Sequence, residues 1–279
     1  MLTPKSPKKR LQRTVQMNMR RLPRFLLLTV LASCAIGASL SANAQSQNYR
    51  YRQAGAGVPI VVFENGLGDT LDTWKSVQDE VSRFTTTFAY NRAGYAGSPS
   101  AVGTRDAATA VRELRALLAE RGLEPPYLLV GHSLGGLYVQ YYARNFPDEV
   151  TGLVLVDSSH WDQRERMRRA DPSAVAVADR EARGLSGVVR QENDSFELSG
   201  REVSDSPPLR PMPLIVLTAG QLPRTVPKGV WPELQRELAA QLPGARHTIA
   251  ERSDHFIQRR QPQFVWAAVR DIVVLLRGQ

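Results

Sequence analysis

Cysteine is nearly missing: the 279 residues contain one, Cys34, which excludes a fold stapled by disulfides. A domain of this length can bury a large core without covalent staples. Acidic residues are missing from residues 1–24, which carry Lys5, Lys8, Lys9, Arg10, Arg13, Arg20, Arg21 and Arg24. Charge of either sign is missing from residues 25–44. The net charge of +9 would suit a nucleic-acid or membrane-surface protein, but without those eight cations it falls to +1. The basic character therefore belongs to a leader and names no partner for the rest of the chain, and no nucleic acid is expected to bind. Internal repeats are also missing.

A long apolar run is missing as well. The stretch "FLLLTVLASCAIGASL" (Phe25–Leu40) is shorter than the roughly 20 residues that span a bilayer. With a basic segment before it and Ala42-Asn43-Ala44 after it, residues 1–44 read as a signal peptide, leaving 45–279 as an exported, periplasmic or secreted domain. Translation could begin at Met17 or Met19 instead of Met1. Two alternatives stay open: retention as an anchor, and lipid attachment at Cys34, where "LASC" resembles a lipobox and would tether the protein to a membrane.

What the chain does have is alternation. Apolar runs at 59–64, 84–90, 127–130, 150–157, 213–220 and 246–251 read as strands. Helical patterns fall between them at 72–83 and 105–122, after Ser133, from Trp231 to Gly244, and in the closing "PQFVWAAVRDIVVLLRG". Buried strands separated by amphipathic helices predict an α/β fold with a parallel sheet covered on both faces. Reactive residues should then collect at the carboxyl ends of the strands. Residues 158–212 break the rhythm with charged helical stretches and a Ser- and Pro-rich tail. They read either as a solvated excursion or as a helical lid over a site.

One motif carries chemistry. "GHSLGG" (Gly131–Gly136) fits G-x-S-x-G between a strand and a helix. Such a turn puts Ser133 in a strained conformation with its hydroxyl outward, and Gly131 and Gly135 leave room for the reversal. A serine hydroxyl needs a base to become a nucleophile. Of four histidines, His132 points away on the elbow, His160 lies in the insertion and His247 lies on a strand. His255, in the loop before the last helix, is the expected base. For the acid that orients it, Asp157 ends a strand at the correct edge; Glu233 and Asp254 are the alternatives. An Asp where Asp157 stands can also simply cap the following turn. The backbone N–H groups of Leu134 and of Leu67, in "ENGLGDT", are the expected oxyanion donors.

The segments "VVFENGLGDTLDTW", "YNRAGYAGSP", "LVGHSLGGLYVQYYARNFPDEVTGLVLVD" and "SDHFIQ" resemble the α/β-hydrolase superfamily from about Tyr51 to the C-terminus. The resemblance implies an eight-stranded, mostly parallel sheet and a Ser-His-acid triad acting on a small-molecule ester or related acyl substrate. It implies no metal or organic cofactor. A serine nucleophile argues against epoxide hydrolases and haloalkane dehalogenases, which use Asp. Three departures stand out: Asn65 replaces a common His, Asn91 replaces a frequent Asp, and the loop after 213–220, the common acid position, has no carboxylate before Glu233. The resemblance leaves open amide cleavage, acyl transfer, or a non-catalytic binding protein on the same fold.

Overall fold

A computed structural model describes residues 49–223 and 226–278. The signal-peptide reading of 1–44, with its cleavage site and Cys34, lies outside the described residues. No helix among the described residues is long and apolar enough to cross a membrane.

Seven strands form the sheet: β1 (Tyr51–Ala54), β2 (Ile60–Glu64), β3 (Thr87–Tyr90), β4 (Tyr127–His132), β5 (Val150–Val156), β6 (Leu214–Ala219) and β7 (Arg246–Ala250). Their spatial order is β1-β3-β2-β4-β5-β6-β7, and every pairing is parallel except β1 with β3. The expectation of eight strands is corrected to seven among the described residues. No strand-length apolar run is left over, because the long interval between β5 and β6 is helical. The antiparallel β1 had no apolar run to announce it: its sequence, YRQA, is only half covered at the sheet edge.

The inner strands are buried on both faces, so alternate residues feed two cores. Val62, Leu129, Leu153, Leu155 and Val216 face one core. Val61, Phe63, Leu128, Val130, Val154, Val156 and Leu217 face the other. The first core is closed by α2 (Ala107–Glu120) and α3 (Leu134–Asn145), the second by α1 (Lys75–Val81) and α10 (Pro262–Arg277). Helix α2 starts where Asp106 accepts the Thr109 N–H at 2.8 Å, and its Val111, Leu114, Leu117 and Leu118 form the buried stripe. Each such fully buried side chain stabilises the fold by roughly 1.5–3 kcal/mol.

The interval between β5 and β6 contains α4 (Gln163–Ala170), α5 (Pro172–Ala182), α6 (Gly187–Asp194) and α7 (Phe196–Asp205). Helix α7 packs on α3 through buried Phe196 and Val203. After β6 come α8 (Val230–Ala239) and, beyond β7, the short α9 (Ile257–Arg260).

Candidate active site

Ser133 sits between β4 and α3 with φ 52° and ψ −123°. The sequence imposes this tight reversal. A Cβ on Gly135 would stand 2.5 Å from the Asn65 carbonyl oxygen, and one on Gly131 would stand 2.6 Å from the Gly135 carbonyl oxygen. Larger residues would push β2, β4 and α3 apart. The Ser133 N–H donates to the Val156 carbonyl at 3.2 Å, so the elbow lies beside the end of β5. Asp157 is the next residue, also at a positive φ, 40°.

Asp157 and His255 are brought together: His255 Nδ1 is 2.6 Å from Asp157 Oδ2. The other Asp157 oxygen accepts the Ala219 N–H at 2.9 Å and the Trp231 Nε1–H at 2.8 Å. The carboxylate is buried with every oxygen occupied, as an ionised group in the interior requires. Trp231 also meets the His255 ring edge-on at 6.3 Å. The two alternative acids are elsewhere. Asp254 accepts the Phe256 N–H and pairs with Arg260. Glu233 is exposed and pairs with Arg166.

The remaining histidines have other duties. His132 Nε2 lies 2.9 Å from the His255 carbonyl oxygen, which fits Nε2–H as the donor. Its Nδ1 lies 3.4 Å from Asp69, which pairs with Arg259. Burial pushes the His132 pKa down, against the pull of Asp69. The neutral ring thereby braces the loop that carries His255. His160 is buried in the insertion, and His247 bonds Thr218 at 2.7 Å.

Leu67 and Leu134 both line a cleft of about 270 Å³ that includes Ser133, Ser159, Met167 and Phe196. Leu134 is the first residue of α3, so its N–H is one of the helix's unpaired donors. Leu67 lies in the loop after β2. Asn65 fixes that loop by donating to the Tyr90 carbonyl at 2.7 Å and accepting from Trp74 Nε1 at 2.9 Å. The side wall comes from α4, α5, α6 and α7. Among the described residues no cluster of three or more His, Cys, Asp or Glu side chains is arranged to hold a metal ion.

Trp231 and the buried group of Glu64, Arg92, Tyr95 and Glu192 carry no motif in the sequence that marks them as part of the site. Arg92 lies in the quoted turn "YNRAGYAGSP", but nothing in the local sequence marks it as fully buried. Its partner Glu192 is 100 residues away.

A family model described as the alpha/beta hydrolase fold matches residues 59–202. Among curated proteins, YqjL of Bacillus subtilis is 28% identical over 220 residues, covering 76% of this chain and 82% of its own length. Among solved structures, an esterase from Thermogutta terrifontis superposes with a TM-score of 0.58 at 21% identity, covering 82% of this chain and 93% of its own. An enol-lactonase from Burkholderia xenovorans gives a TM-score of 0.57 at 20% identity, covering 81% and 96%.

Proposed function

Because the chain belongs to the alpha/beta hydrolase fold family, we propose that it is a serine hydrolase of carboxylic esters acting through Ser133, His255 and Asp157. One observation carries the reading: the 2.6 Å Asp157–His255 pair lies at the end of β5, where the Val156 carbonyl accepts the N–H of Ser133, and Ser133 lines a cleft. Ser133 Oγ attacks the ester carbonyl carbon while His255 accepts its proton. His255 then gives that proton to the leaving alcohol as the tetrahedral intermediate collapses to an acyl-enzyme. Asp157 holds Nδ1–H and stabilises the imidazolium. The Leu67 and Leu134 N–H groups bind the oxyanion. Water, deprotonated by His255, releases the acid and restores Ser133.

The solved neighbours named for an esterase and an enol-lactonase act on ester bonds, which fits this reading. The case for a non-catalytic binding protein is a triad without an acid, and the Asp157–His255 pair weighs against it. Residues 158–212 act as a lid that shapes the cleft, in keeping with α4, α5, α6 and α7 supplying its wall. The basic-then-apolar leader supports export to the periplasm or beyond.

The test is Ser133→Ala with p-nitrophenyl esters and a fluorophosphonate probe. Turnover and labelling should vanish while the circular dichroism spectrum is kept. Unchanged turnover in the variant would reject the mechanism.

A further inference from the structure

Arg92 is a cation with no access to water: 2% of it is exposed. An arginine guanidinium has five N–H bonds, and all five are directed here. Nε and Nη2 donate to Glu192 Oε1 and Oε2, each at 2.7 Å. Nη1 donates to Glu64 Oε1 and to the Asn65 carbonyl, each at 2.7 Å. The last N–H, on Nη2, reaches the Gly66 carbonyl at 3.0 Å.

That last bond matters because the Gly66 carbonyl and the Leu67 N–H belong to one peptide unit. The peptide is planar and trans, so fixing the carbonyl on one side aims the N–H to the other. A cationic donor on the carbonyl also polarises the N–H at the far end of the same unit. The Gly66 oxygen takes a second, longer bond from the Asp69 N–H at 3.3 Å. Tyr95 holds the other flank: its hydroxyl accepts the Gly68 N–H at 3.0 Å and donates to Glu192 Oε2 at 2.6 Å. Burial pushes the Tyr95 hydroxyl up to about 12, so it stays a donor at any working pH.

Glu192 belongs to α6, inside the insertion, whereas every other member of this group belongs to the sheet domain. Helix α6 sits directly on the two loops concerned. A Cβ on Gly94 would come within 2.6 Å of Val188, and one on Gly68 would lie 3.8 Å from Val189.

Resting on the hydrolase reading, we infer that Glu192 is a positioning residue that ties the seating of the insertion to the oxyanion donor. With α6 seated, Glu192 grips the Nε–Nη2 edge of the Arg92 guanidinium and holds Nη2 against the Gly66 carbonyl. The Leu67 N–H then points into the cleft. With α6 away, Arg92 loses two of its five hydrogen bonds and keeps Glu64 as its one carboxylate partner, so the fork is freer to turn and its hold on the Gly66 carbonyl slackens. The insertion thus controls transition-state stabilisation as well as the shape of the cleft.

The test is Glu192→Gln in the full protein. Arg92 stays neutralised by Glu64, so the variant should fold. Arg92→Lys is the second variant, keeping the charge but losing the planar fork. The readouts are kcat, KM for a p-nitrophenyl ester, and Ki of a trifluoromethyl ketone, whose serine adduct carries the oxyanion. Glu192→Gln should lower kcat about tenfold with KM within about twofold, and weaken the ketone by a similar factor. Arg92→Lys should lose more. Unchanged kcat and Ki in either variant, or a rise in KM alone, would overturn the inference while the hydrolase reading stood. A wild type that neither takes the fluorophosphonate nor turns over ester overturns both.

Discussion

His255 Nδ1 and Asp157 Oδ2 lie 2.6 Å apart, joined across 98 residues of chain. The pair brings the loop after β7 against the end of β5, two strands away in the sheet. Asp157→Asn should therefore lower kcat by about 10³–10⁴-fold, since an amide cannot hold the imidazole tautomer or balance an imidazolium. Asp254→Asn and Glu233→Gln remove exposed or half-buried ion pairs and should stay within about threefold of wild type. Steady-state kinetics on the three variants checks this; the reverse ranking would reassign the acid.

Trp231 supplies one of the two hydrogen bonds on the far oxygen of Asp157. Trp231→Phe keeps most of the ring and removes the donor. A buried carboxylate one partner short should cost about 1–3 kcal/mol of stability. The looser carboxylate should also lower kcat several-fold with little change in KM. Urea unfolding and kinetics on one preparation measure both; a variant unaltered in each would show that the bond has no role.

Ser133 holds φ 52° and ψ −123°, the setting of the first central residue of a type II′ turn, where glycine is preferred. The strain is roughly 1–3 kcal/mol, against ~0.5–1 kcal/mol of extra chain entropy for glycine. Ser133→Gly should thus raise stability by about 1 kcal/mol and Tm by about 2–4 °C while ester turnover disappears. A lower Tm, read by scanning calorimetry, would mean that the elbow is unstrained.

His160 is buried at the start of the insertion, its Nδ1 accepting the Asp162 N–H at 3.0 Å and its Nε2 without a hydrogen-bond partner among the described residues. Burial, aided by the Arg166 guanidinium, pushes its pKa down from 6.5 to about 4. The Glu237 carboxylate stands 3.5 Å from Nε2 and does not offset this. Between those two values the unfolded chain binds more protons than the folded one, so stability is full above pH ~6.5 and falls as pH drops towards 4, by up to ~3 kcal/mol. His160→Asn keeps an acceptor for Asp162 and removes the titration. Its urea midpoint should depend less on pH between 7 and 4 than the wild type's; parallel curves would count against the assignment.

Much of this was legible along the chain. Each buried inner strand betrays itself by an unbroken apolar run, because both of its faces meet helices. The elbow is legible because its glycines are steric requirements of the turn. The short β1 was not legible, since a half-exposed edge strand needs no apolar signature. The substituted residues make sense only in three dimensions. Asn91 accepts the Leu71 N–H and donates to the Ala96 carbonyl, each at 2.7 Å, and an aspartate could not make the second bond. Asn65 likewise donates and accepts at once.

By itself, then, the sequence determined the α/β alternation, the serine turn and the histidine loop, because local sterics and burial on two faces dictate residue type position by position. Tertiary structure alone decided which carboxylate stands behind His255 and how Arg92 joins the insertion to the loop of Leu67. Those choices depend on side chains from distant segments meeting in a space without water. There, a charge persists only where several partners converge on it, and no spacing along the chain records that convergence.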